Sequence, residues 1–266
     1  MNIQLPPARP RRRYRSLRSI GALMLREMST SYGAAPGGYV WALLVPIGGV
    51  LLLSFVFSLL LRAPSLGTSF PLFKATGLLI FMMWHDVSNA VAGAIRHSRQ
   101  LLFYPAVKYI DAILARFVLN ALTGVVVFCI VIAGVLLIFD LRPVIRLGPV
   151  VLAFAMAGAL ALGFGTLNCY LFTAFPLWER VWMIATRPLL IVSGVLFLYE
   201  DAPRSLQQFL WFNPLMHVTG EMRRGFYAYY DPGYVAPAFI FALSLIALVA
   251  GLILLRKHHM RLLNNL

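Results

Sequence analysis

Acidic residues are scarce in this chain: 9 Asp and Glu stand against 23 Lys and Arg in 266 residues, a formal net charge of +14. Charge of either sign is scarce too, at 12% of residues, where a soluble domain carries about 25%. There are only two cysteines, Cys129 and Cys169, and both fall inside apolar runs. They read as small hydrophobes, which excludes a disulfide framework or a metal pair. No GxxxxGK[ST] phosphate loop occurs, so hydrolysis of ATP by that route is excluded. HExxH, CxxC and GxSxG patterns are missing as well, and no catalytic constellation remains.

Apolar residues are what the chain has in excess, 61% of the total. Residues 39–61 form an uncharged run of 23, which as a helix spans roughly 34 Å. A bilayer core is about 30 Å thick, so this is a membrane protein, and the expected fold class is all-α. The basic charge is placed accordingly. Seven arginines lie within the first 26 residues, and Arg256, Lys257 and Arg261 close the chain. Basic residues just outside spans set orientation, whereas nucleic-acid binding calls for a basic face on a soluble domain, and none is available.

Residues 1–15, with Pro6, Pro7, Pro10 and Arg11-Arg12-Arg13, read as a disordered basic arm. Residues 16–32 predict an interfacial helix: Leu17, Ile20, Met24 and Met28 share one side, and Arg15, Arg18 and Arg26 the other. This segment is too charged for a cleavable signal peptide. Six spans are expected, near 39–61, 72–95, 113–139, 148–174, 181–199 and 234–255. With this layout 16 of the 23 basic residues fall on one side, which predicts cytoplasmic termini.

The link at 200–233 is too long for a simple turn, yet it is rich in aromatics. Asn213-Pro214 is a helix start, after which Leu215, Val218, Met222 and Phe226 share one face and His217, Glu221 and Arg224 the other. Two short helices dipping into the outer leaflet are expected, shielded by protein or a water-filled cavity. His217 and Glu221 are four apart and read as a hydrogen-bonded pair in preference to a metal site, for which a third ligand is missing. Within the second span, His85 and Asp86 are followed by Ser88 and Asn89. Asp86 either pairs with a neighbouring helix or faces a hydrated path, since an ionised group inside a membrane needs one or the other. A proton relay would require more intramembrane carboxylates than this one.

Several local patterns together resemble one family, the ABC-2 type permeases that export capsular polysaccharide and O-antigen. Leu25-Arg26-Glu27-Met28, Tyr32, Gly38-Tyr39-Val40-Trp41-Ala42 and Pro46 are similar to the family's Arg-Glu interfacial helix and first span. Ser69-Phe70-Pro71, Leu102-Phe103-Tyr104-Pro105-Ala106-Val107-Lys108, Asp111, Ala115-Arg116, Phe175-Pro176 and Pro188 follow in order. Trp211-Phe212-Asn213-Pro214-Leu215 with His217 and Glu221 resembles the family's re-entrant gate on the periplasmic side. The likeness runs from 26 to 256 and is greatest to the capsule-exporter branch, although Tyr109 stands where a proline is common.

The resemblance implies a six-helix domain at 33–256, a coupling helix at 96–108, gate helices within 203–230 and a cytoplasmic tail at 257–266. It implies a second copy of the chain and two copies of a cytoplasmic ATPase, with ATP and Mg held by that partner and no cofactor here. Arg96, Arg99, Leu102, Phe103, Tyr104 and Lys108 would dock the ATPase, an apolar plug with a basic rim. A lipid-linked polymer would be admitted at the cytoplasmic leaflet near Arg15, Arg18, Arg26, Tyr32 and Trp41. Trp84, His85, Asp86, Phe209, Trp211, His217, Glu221 and Tyr227 would line the canal or gate, the aromatics serving as sugar-stacking faces or as membrane-belt anchors. A periplasmic adaptor and outer-membrane export proteins are further possible partners. The rival readings are an ABC-2 permease for O-antigen or a teichoic acid-like polymer, a drug or lipid efflux permease, and a proton-coupled secondary transporter.

Overall fold

The computed structural model describes residues 15–31, 38–102 and 108–265, and every regular element among them is helical. The arm at 1–14, Tyr32, and the Phe103-Tyr104 plug within 103–107 lie outside the described residues. Helix α1 (Arg15–Ser31) precedes α2 (Gly38–Leu60), α3 (Phe70–Ala92) and the short α4 (Ala94–Leu102). After α5 (Tyr109–Ile138) and α6 (Leu147–Ala174) comes α7 (Pro176–Leu190), which runs into a wide helical turn at Ile191–Val195. Two short helices, α8 (Arg204–Trp211) and α9 (Pro214–Phe226), lead to α10 (Pro237–Asn265).

Four of the described helices, α2, α5, α6 and α10, are long and apolar enough to cross a membrane. The sequence predicts six spans, and the other two fall short for physical reasons. In α3 the apolar run is interrupted by Lys74, His85 and Asp86. In α7 the regular helix is only 15 residues, with Pro188 inside it. The backbone then leaves helical geometry at Ser193 and at Gly194, whose φ of 73° is left-handed. A Cβ at Gly194 would also stand 2.5 Å from Met216 Sδ, so only glycine fits.

The core forms around α3, which packs against α2, α5, α6 and α9 and buries 16 of its 23 residues. Ser69 caps it by accepting from the Leu72 N–H at 3.5 Å, and Pro71 sits in the first turn, where no intrahelical donor is needed. On its far side α6 meets α10 at close range. A side chain at Gly163 would collide with Ser244 O, and a Cβ at Gly251 would lie 2.7 Å from Leu167 N. Small residues let helix backbones approach in this way, which is how helices gain packing energy in lipid. By contrast α2 buries a single stripe, Pro46, Val50 and Ser54, and leaves Trp41, Leu52, Phe55 and Leu59 exposed.

Helix α1 forms where the periodicity predicts it, but its protein-facing residues are displaced around the helix. Leu23, flanked by Ile20 and Met24, packs on Ala112 and Ala115 of α5, whereas Met28 is exposed. Part of the apolar stripe read from the sequence is therefore covered by α5.

Candidate functional site: a polar helix face between two arginine clamps and a capped helix break

At its C-terminal end α3 stops at Gly93 and α4 turns away. Arg96 of α4 reaches Glu179 in the first turn of α7, with Nη1 and Nη2 each 3.0 Å from Oε2 and Nη1 3.2 Å from Oε1. Its Nη2 also donates to Phe172 O at 3.3 Å. Arg96 thus ties α4 to the start of α7. Arg99 is half-buried on α4, and Leu102 closes that helix. Lys108 is exposed and stands at the start of α5, where its N–H donates to Asp111 Oδ2 at 3.2 Å.

The second clamp joins α1 to α5, where Arg116 Nη2 donates to Glu27 and Nη1 to Ala90 O at 3.0 Å. Arg15 begins α1, and Arg18 and Arg26 are exposed along it. Trp41 is exposed near the start of α2.

Between these clamps and its N-terminal end, α3 presents a polar edge. His85 Nδ1 lies 3.3 Å from Asp86 Oδ1, and Asn89 Nδ2 lies 3.1 Å from His85 Nε2. The Asp86 side chain is 68% exposed. Its one polar partner among the described residues is His85 of the same helix, so pairing with a neighbouring helix, one of the two readings above, does not occur among them. Asp86 instead lies where two cavities meet. One, of about 330 Å³, lies among α2, α3 and α5, with Trp41, Asn120 and Thr123 in its wall. The other, of about 500 Å³, lies between α3 and α7, with His85, Met183 and Arg187. Trp84 points elsewhere, buried against Phe81 with ring centroids 5.7 Å apart.

A cap is built on the break in α7, which frees several carbonyls between Val192 and Phe197 from helical pairing. Side chains of α3 and α9 take them up. Asn213 Nδ2 donates to Val192 O at 3.1 Å and Thr219 Oγ1 to Ser193 O at 2.8 Å. Arg223 donates to Val195 O at 3.3 Å and Phe197 O at 3.1 Å, and Lys74 Nζ to Leu196 O at 2.9 Å. Both cations also face rings, Arg223 at 4.0 Å from the Phe73 centroid and Lys74 at 3.4 Å from that of Phe57. Irregular backbone at membrane depth is tolerated when protein satisfies it in this manner.

Both faces of α9 are buried, so its polar side is not a solvated one. His217 and Glu221 do not form the expected pair. The imidazole accepts from the Ala236 N–H at Nδ1, 3.2 Å, which leaves Nε2–H to donate to Trp211 O at 2.7 Å. A ring acting as acceptor on one nitrogen is neutral, and burial pushes its pKa below the ordinary histidine value. Glu221, also buried, has Arg224 Nη1 at 3.8 Å, and burial raises its carboxyl pKa. Trp211 stacks on Phe239 with centroids 5.1 Å apart, and Tyr227 is buried beneath the cap. Of the aromatics expected along the canal or gate, Phe209 shows an open face, at 76% exposure.

Sequence reasoning missed three anchoring residues: Glu179, Lys74 and Arg223. A chain with 9 acids offers few partners for a membrane-edge arginine. That scarcity was a usable signal for Glu179, and Pro188 with Gly194 was one for a helix break needing outside donors.

Residues 18–227 match the model of the ABC-2 type transporter family, and the chain belongs to it. It is 29% identical over 251 residues to the polysialic acid transport protein KpsM of Escherichia coli, covering 93% of this chain and 96% of that one. It is 28% identical over 244 residues to the capsule polysaccharide export inner-membrane protein CtrC of Neisseria meningitidis serogroup B, covering 90% and 91%. A third relative, the capsule polysaccharide export inner-membrane protein BexB of Haemophilus influenzae, is 28% identical over 246 residues, covering 90% and 91%.

Proposed function

We propose that this chain is the permease subunit of an ATP-driven exporter that moves lipid-linked capsular polysaccharide across the bacterial inner membrane. The observation that carries the reading is Asp86, a carboxylate on a membrane helix that is open to two cavities and lacks an interhelical partner among the described residues. Such a group is stable in a bilayer only beside water or a second protein surface. A second copy of the chain facing this edge would enclose a hydrated canal, and relatives named for polysialic acid transport and capsule polysaccharide export suit a polymer as cargo.

In this reading α3 and α7 join the four apolar helices as spans, α8 and α9 form a re-entrant gate at the outer side, and both termini are cytoplasmic. Energy comes from a partner ATPase docked at α4 and the 103–107 segment. Deleting the gene should abolish surface polymer, and restoring it together with its ATPase should bring the polymer back. Phe103→Asp should abolish co-purification of the ATPase while the permease still inserts. Retention of the ATPase at wild-type yield would remove the docking assignment, and normal surface polymer in the deletion strain would remove the cargo assignment.

A further inference from the structure

Neither the clamps nor the cap use Arg187, which precedes Pro188 near the end of α7. Lys74 and Arg223 donate to the broken part of α7, and Arg96 and Arg116 hold Glu179 and Glu27. Arg187 is exposed and makes no hydrogen bond or ion pair among the described residues. It lines the cavity of about 500 Å³ between α3 and α7, where Met183, Arg187 and Leu190 form one stripe of α7. Asp86 of α3 lines the same cavity. The two do not pair, since the carboxylate meets His85 of its own helix. An acid and a base therefore share one wall and leave each other free.

A guanidinium keeps its charge at every working pH, and inside a membrane it needs water or a counter-charge. The face around Arg187 supplies a counter-charge only through its own image. Asp86 also lines the cavity among α2, α3 and α5, so it stands in a hollow with α2 on one side and α7 on the other. Arg187 is displaced toward α7, and exposed Trp41, Val45 and Met183 give the hollow an apolar rim. In a two-fold contact, residue i of one copy meets residue j of the other, and j meets i. An acid and a base offset on one face match that operation, whereas a face of one sign would repel its image.

We propose that two copies of this chain meet across the hollow, that Arg187 of each pairs with the partner's Asp86, and that the two ion pairs seal the canal while it holds no cargo. The proposal rests on the permease reading and adds to it how the canal is kept closed. A canal wide enough for a hydrated polymer would otherwise conduct small ions. The seal is also tied to the clamp at Arg96. Glu179 and Arg187 lie eight positions apart on one regular helix, about 12 Å along its axis. A pull on α4 that moves Glu179 thus moves Arg187 with it and draws it away from the partner's Asp86.

The full chain in proteoliposomes, without nucleotide, would be assayed for potassium leak. Wild type should be tight, and Arg187→Gln should leak about tenfold faster. The single exchanges Asp86→Arg and Arg187→Asp should leak at least as fast, and the double exchange should return to within about twofold of wild type. A second measurement does not depend on leak. Differently tagged copies, one carrying Asp86→Cys and the other Arg187→Cys, would be mixed in a Cys129→Ser background, Cys169 being buried. A short bis-maleimide should then join them into a product carrying both tags. An Arg187→Gln chain as tight as wild type, a double exchange as leaky as the single ones, or absence of the doubly tagged product overturns the proposal. A tight Arg187→Gln chain that exports no polymer overturns it too, and assigns the guanidinium to an acidic group of the cargo. If the seal passes both tests but deleting the gene leaves surface polymer normal, the cargo reading falls and the seal stands.

Discussion

Arg96 of α4 holds Glu179 of α7 with two guanidinium nitrogens at 3.0 Å from one carboxylate oxygen, although the sequence placed Arg96 on the rim of an ATPase-docking surface. The pair links the helix that would receive force from an ATPase to the helix that flanks the polar edge of α3. Both side chains are more than a third exposed, so the pair is worth at most about 1 kcal/mol of stability. Its value lies in direction.

Arg96→Gln is therefore expected to leave insertion and melting nearly unchanged while lowering polymer exported per ATP hydrolysed. The exchange of Arg96→Glu with Glu179→Arg should recover part of that ratio. Parallel measurement of hydrolysis and surface polymer checks it, and an unchanged ratio in Arg96→Gln would show that the clamp does not transmit force.

The cap on the α7 break should behave in the opposite way. Arg223→Met removes charged donors from Val195 O and Phe197 O, and Lys74→Met removes the donor to Leu196 O. Buried carbonyls stripped of charged partners cost about 1.5–3 kcal/mol each, so both variants should melt well below wild type in detergent. A Cβ at Gly194 is penalised by its φ of 73° and by Met216, so Gly194→Ala should destabilise by more than about 1 kcal/mol. Melting temperatures decide this, and a Lys74→Met variant as stable as wild type would remove lysine from the clamp.

Asp86 offers a test in which stability and function separate. Its side chain is 68% exposed and pairs with no other helix among the described residues. Asp86→Asn should shift the melting midpoint by no more than about 0.5 kcal/mol equivalent while reducing export severalfold. A full-strength exporter carrying Asp86→Asn would end the role assigned to this edge.

The cap on the α7 break should weaken in acid. His217 is neutral in the fold, with burial holding its pKa below the ordinary histidine value of 6.5. The unfolded chain then binds the proton more readily, so this contribution is complete above pH 6.5 and is lost as pH falls through the lower folded value. Amide exchange in α9 should rise as pH is lowered from 7 toward 5, after correction for intrinsic rates. His217→Gln, which keeps one donor and one acceptor, should flatten that dependence. Equal pH profiles for the two would locate the titrating group elsewhere.

Hydropathy, helical periodicity and local caps were legible from the sequence because each depends on neighbours within a few positions. They determined a helical membrane protein, the start of α1, the Asn213-Pro214 entrance to α9 and the polar pair on α3. The family signature was legible for the same reason, since Gly38-Tyr39-Val40-Trp41 and Trp211-Phe212-Asn213-Pro214 are contiguous strings. The partners of charged residues were not legible. Arg96 meets Glu179 across 83 positions, Arg116 meets Glu27 across 89, and Lys74 meets Leu196 O across 122. Periodicity says which side of a helix a residue occupies but not which helix lies opposite. That choice follows from how whole helices pack, where small residues such as Gly163 and Gly251 permit close approach. Tertiary structure alone thus decided that His217 and Glu221 stay apart, that Trp84 and Tyr227 are interior, and that Asp86 is left open.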